Sequence, residues 1–157
     1  MNTGFQIIAL PYEAFAPLFA RSNEQLQALG ARRMVVGQKP GYPCRVSLMD
    51  AGIGETVLLL QFNHHDVDSP YHGSGPIFVR KNAQMATPAV NEIPAMFNHR
   101  LLSVRGYDGA GMMLQAEVVQ GSDLVDAIGR VFDNSLVSYL HIHNAAPGCF
   151  NCKVVRA

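Results

Sequence analysis

Hydrophobic and polar positions along this chain fall into short runs whose period changes with position. Tyr12-Glu13-Ala14-Phe15-Ala16-Pro17-Leu18-Phe19 reads as a short helix or turn interrupted at Pro17, because proline lacks the N–H that a helix interior uses. Ser22-Asn23-Glu24-Gln25 has capping-box spacing, with Ser22 as N-cap and Gln25 at the third helical position. Leu26 and Leu29 give that helix an apolar stripe, and Gly30 ends it. From Arg32 the period shortens to that of strands. Met34–Val36, Pro43–Leu48 and Thr56–Phe62 read as strands, and the last two are expected to pair across the turn Asp50-Ala51-Gly52-Ile53-Gly54. A polar loop is predicted from Asn63 to Gly75, a strand over Pro76–Arg80, and loop over Ala83–Asn91.

The last third is more regular. Leu101–Arg105 and Met112–Val119 flank Tyr107-Asp108-Gly109-Ala110-Gly111, a hairpin signal. Ser122 is the expected cap of a helix whose apolar positions Leu124, Val125, Ile128, Val131 and Phe132 follow helical spacing. Ser138–His143 and Cys149–Arg156 are predicted to form an antiparallel hairpin around Asn144-Ala145-Ala146-Pro147-Gly148. Met96-Phe97 and Met112-Met113 are assigned to the core. The C-terminal half therefore reads β-β-α-β-β after a β-rich beginning. The expected class is α+β, a mostly antiparallel sheet with two or three short helices, in a single globular domain over residues 1–157.

Composition narrows the function classes. With 157 residues, 48% hydrophobic and 15% charged, the chain can bury a core and lacks the signature of disorder. Twelve basic and twelve acidic residues balance, and the basic ones are scattered, which argues against a nucleic-acid or polybasic membrane surface. Low net charge permits self-association, so a homodimer is an open expectation. The first ten residues lack the basic start of a secretory signal, and apolar runs such as Val57–Leu60 are far too short to span a bilayer. Three cysteines are too few for a secreted disulfide scaffold; reduced thiols in the cytoplasm fit better.

Candidate chemistry concentrates in His141-Ile142-His143-Asn144-Ala145-Ala146-Pro147-Gly148-Cys149-Phe150-Asn151-Cys152. His141 and His143 are two apart and share a strand face. If Asn144–Gly148 is the hairpin loop, Cys149 lies opposite His143. His141, His143 and Cys149 then form a three-ligand face suited to zinc, with a fourth position open to water or substrate. Cys152 falls on the other face, so no disulfide with Cys149 is expected. The same pattern also suits an ordinary half-exposed strand with its cysteines in the core. A redox Cys149-x-x-Cys152 pair is disfavoured, because such pairs sit at helix N-termini and the residues that follow read as a strand. As an enzyme, the chain would use His141 as general acid/base and Cys149 as thiolate ligand or nucleophile. The loop Tyr71-His72-Gly73-Ser74-Gly75 is a second candidate, with Tyr71, His72 and Ser74 toward a small-molecule ligand and glycines that let backbone N–H groups approach an anion. Arg80 or Arg105 would clamp an anion, and Asn144 would line the site. His64 and His65, in the predicted loop, are expected to matter less than His141.

Three segments resemble a bacterial family known as domain of unknown function 1203: Pro43–Leu48, Ser69–Val79 and His141–Arg156. In the last of these, His141, Asn144, Pro147, Gly148 and Cys149 match the family pattern. The resemblance implies one compact domain of this length and carries no activity, substrate or cofactor. The sequence thus supports a small-molecule or metal-binding protein, as an enzyme or not, against a non-catalytic homo-oligomeric module with a structural His/Cys cluster.

Overall fold

Two antiparallel sheets and two α-helices frame residues 4–157, the residues described by the computed structural model. Met1–Thr3, the start of the stretch read for a signal, lie outside them. The strands are β1 (Phe5–Ile8), β2 (Arg32–Val35), β3 (Thr56–His65), β4 (Gly73–Arg80), β5 (Leu101–Tyr107), β6 (Met113–Gln120), β7 (Tyr139–Asn144) and β8 (Phe150–Arg156). The helices are α1 (Asn23–Ala28) and α2 (Leu124–Phe132). One sheet has the order β1-β8-β7-β5-β6, the other β2-β3-β4. The architecture is α+β with mostly antiparallel sheet, and the C-terminal half runs β5-β6-α2-β7-β8. No helix among the described residues is long and apolar enough to cross a membrane.

The period-two alternation of β5, β7 and β8 divides the larger sheet into two unlike faces. Leu102, Val104, Leu140, Ile142, Cys152 and Val154 join Leu124, Ile128, Val131 and Phe132 of α2 in one buried cluster. Each such aliphatic side chain contributes about 1.5–3 kcal/mol by leaving water. Gly106 lets the helix come this close, since a Cβ there would stand 2.6 Å from Val131 Cγ1. The opposite face carries Ser103, Arg105 and Tyr107 of β5 directly across from His143, His141 and Tyr139 of β7. The far end of β3 covers that second face, where Phe62 and Phe150 meet at 6.2 Å between ring centroids.

Several sequence expectations need correction. Pro43–Leu48 is no regular strand and does not pair with β3, whose neighbours are β2 and β4. The segment turns at once, with Leu48 N–H bonded to Cys44 O and Leu48 at φ 51, because Cys44, Arg45 and Val46 are all drawn into buried positions. The loop predicted over 63–75 shrinks from both ends: β3 runs on to His65 and β4 begins at Gly73. Ser122 does not cap α2; it lies in a 3-10 turn, Gly121–Asp123, and Asp123 precedes the helix without a side-chain bond. Val125 and Met112 are exposed, whereas Met96 and Phe97 are buried as expected. Leu29 is exposed too, so α1 buries only Leu26, although its Ser22–Gln25 capping box is formed in both directions.

Candidate metal centre

β7 sends His141 and His143 to the face under β3, as their spacing requires. Their partner on β8 is not the expected one. A β-bulge places one extra residue on β8 between the pairs Ile142–Cys152 and His143–Phe150. The residue opposite His143 is therefore Phe150, not Cys149, and the face predicted from His141, His143 and Cys149 is not built that way. The third imidazole comes from His64. A second bulge, between the pairs Phe62–Gly75 and His65–Gly73, adds a residue to β3. Strand parity is broken there, so the consecutive His64 and His65 both turn to the site. Gly73 leaves room for this: a Cβ on it would lie 3.3 Å from His64 Cε1.

His64, His141 and His143 each offer a ring nitrogen, and the three atoms lie within 4.8 Å of one another. Phe150 forms the support. Its ring stacks parallel to His64 at 5.3 Å and takes His141 edge-on at 5.0 Å. His64 Nδ1, His141 Nδ1 and His143 Nε2 are buried and have no hydrogen-bond partner among the described residues. Such atoms are expensive to bury unless something binds them. His143 donates from Nδ1 to Gly148 O at 2.9 Å, which leaves Nε2 with a free lone pair. A ring held by a carbonyl behind it is the usual support of a metal-ligating histidine. Burial, above all, lowers the three pKa values to about 4 for His64, about 2 for His141 and about 3 for His143. The neighbouring Arg105 guanidinium acts in the same direction on His64 and His143. All three imidazoles are neutral at pH 7 and able to donate lone pairs.

Around them is a polar ring. His65 Nδ1 donates to Tyr71 O at 2.8 Å, and its Nε2 meets the Tyr139 hydroxyl at 2.6 Å. Burial raises the Tyr139 pKa, which keeps that hydroxyl protonated. On the β8 side, buried Arg45 donates from Nε to Phe150 O at 2.7 Å and from Nη2 to Cys149 Sγ at 3.2 Å. Asn144 Nδ2 reaches the same sulfur at 3.4 Å, and Asn144 Oδ1 accepts from Asn151 at 2.8 Å.

A family model described as a protein of unknown function (DUF1203) matches residues 41–156. The chain belongs to this family. No curated protein and no solved structure matches it. The match spans β3 to β8 and hence all three imidazoles of this DUF1203 protein.

The remaining sequence candidates divide clearly. Cys149 is adjacent to the histidine group but outside it, half-buried against Arg45 and Asn144, and Cys44, Cys149 and Cys152 are all free thiols. Asn144 thus positions the Cys149 sulfur. Arg105 stands beside the site, directly across from His141. Arg80 does not: it pairs with Glu55 at 2.8 Å and bonds Ser47. Tyr71 contributes its carbonyl to His65 and an exposed ring 6.3 Å from Tyr107. His72 is exposed near Asp66, and Ser74 is exposed on β4. Sequence reasoning ranked His64 and His65 below His141 and singled out neither Phe150 nor Arg45. The His64-His65 doublet directly after an apolar strand was the available signal for the first two; nothing local marks Phe150 or Arg45.

Proposed function

We propose that this DUF1203 protein is a metal-binding protein that holds one divalent transition metal ion, zinc by preference, through His64, His141 and His143. One observation carries the reading: three neutral imidazoles from two sheets, His141 and His143 buried and His64 half-buried, bring ring nitrogens together, and each ring has a buried nitrogen without a partner. Imidazole is a good ligand for zinc and its neighbours in the series, and three protein ligands leave a position for water or substrate. A bound ion would lower the pKa of a water there and polarise a carbonyl or phosphoryl oxygen. The Tyr139–His65 pair supplies an adjacent route for a proton, and the free thiols suit a reducing compartment such as the cytoplasm.

The test is metal analysis of protein purified without an affinity tag, together with zinc titration of the metal-free form. One equivalent is expected in wild type and in His65→Ala. His141→Ala and His143→Ala are each expected to lose binding by at least 100-fold. Full stoichiometry in a variant lacking all three imidazoles would overturn the proposal.

A further inference from the structure

The sheet face that carries the imidazoles does not end with them. Across β7, β5 and β6, one row runs His141–Arg105–Ala116 and the next His143–Ser103–Val118. Each row passes from a proposed ligand, through a polar residue, to a small or apolar residue on the edge strand. β6 is open to solvent on this side, with Val118 61% exposed, and Leu101 and Leu114 are exposed beside it. Arg105 stands where the polar and apolar parts meet. Its Nε donates to Ser103 Oγ at 3.1 Å, and no carboxylate among the described residues forms an ion pair with it. The other nearby guanidinium, Arg45, is sealed at 1% exposure and bonded to Phe150 O, Pro43 O and Cys149 Sγ. Neither Asp nor Glu belongs to the histidine group.

A divalent ion on three neutral imidazoles would therefore sit among cations with no protein carboxylate to balance it. An anionic ligand at the open position would supply the counter-charge. Arg105 lacks a carboxylate partner among the described residues, and a guanidinium edge of this kind suits the two oxygens of a carboxylate. The apolar residues beyond it suit a hydrocarbon chain, since each buried methylene adds to affinity. We propose that the site binds an aliphatic carboxylic acid, with its carboxylate between Arg105 and the open metal position and its chain over Ala116 and Val118. This assignment rests on the metal-centre reading and adds the ligand class to it.

The experiment uses cobalt(II)-loaded protein, whose visible spectrum reports ligands at the metal, titrated with octanoate, acetate, inorganic phosphate and octylamine. Octanoate is expected to perturb the spectrum and to bind at least tenfold more tightly than acetate or phosphate, with no response to octylamine. Arg105→Gln should weaken octanoate tenfold or more while still taking up one equivalent of cobalt. Arg105→Lys, which keeps the charge without the planar fork, should recover part of the loss. Val118→Ser should narrow the gap between octanoate and acetate. Uptake of cobalt with octanoate binding indifferent to Arg105 would overturn this proposal and leave the metal centre standing. A preference for phosphate, or a dimer across β6 that excludes octanoate in sedimentation, would also overturn it. Failure to take up cobalt at all would overturn both readings together.

Discussion

Each imidazole of the cluster has its direction fixed by a different neighbour. His143 is held by Gly148 O, His64 by the parallel ring of Phe150, and His141 by its strand between Arg105 and Lys153. Burial of the rings has a measurable consequence in acid. The folded pKa values, about 4, 2 and 3, lie below the ordinary value near 6.5, so the unfolded chain takes up protons that the folded chain refuses. The associated stability is fully present above pH 6.5 and is lost as pH falls toward those folded values. Its slope approaches about 1.4 kcal/mol per pH unit for each of the buried His141 and His143, and less for the more exposed His64, which solvent screens. Thermal unfolding of the metal-free protein should show a falling midpoint between pH 6.5 and pH 4. Replacing all three histidines by glutamine should flatten that fall; an unchanged profile would show that other groups carry it. Phe150→Ala removes the shared support and is expected to destabilise the fold by about 3–5 kcal/mol, readable in chemical denaturation.

At the scale of elements, two single-residue bulges decide what the site is. The hairpin β7–β8 and the shared face of His141 and His143 were legible in the sequence, because strand parity is a two-residue rule that local pattern displays. Cys149 as the third ligand was wrong in register, since the β8 bulge that puts Phe150 opposite His143 has no signature in Phe150-Asn151-Cys152. His64 was hidden for a similar reason. Polar residues from Asn63 onward look like loop, yet β4 keeps β3 in register to Phe62 and the bulge carries it to His65. The α+β class and the β5-β6-α2-β7-β8 order followed from turn and period signals, whereas the cap of α2 at Ser122 did not survive the 3-10 turn before it. α2 itself rests on a glycine. Gly106→Ala would press a methyl group against Val131 and is expected to destabilise by about 1–3 kcal/mol. A denaturation midpoint equal to wild type would show that the helix can shift to accept it.

Over the whole molecule, the two sheets meet at the site. Phe62, His64 and His65 of β3 meet Phe150, Tyr139 and His141 of the larger sheet there. The segments that lead into β3 and β5 are tied as well: buried Asp50 forms an ion pair with Arg100, which also donates to Met96 O at 2.6 Å. Asp50→Ala would leave that guanidinium buried without its counter-charge, and a loss of about 3–5 kcal/mol is expected in denaturant unfolding. The histidine cluster depends on the docking of the two sheets, because His64 belongs to one and His141 and His143 to the other. The measurement that tests the account most directly is X-ray absorption at the zinc edge of the zinc-loaded protein. The account predicts a first shell containing three imidazole nitrogens at about 2.0–2.1 Å and no sulfur. A sulfur at about 2.3 Å would return Cys149 to the ligand set, and a shell without imidazole would contradict the three-histidine centre.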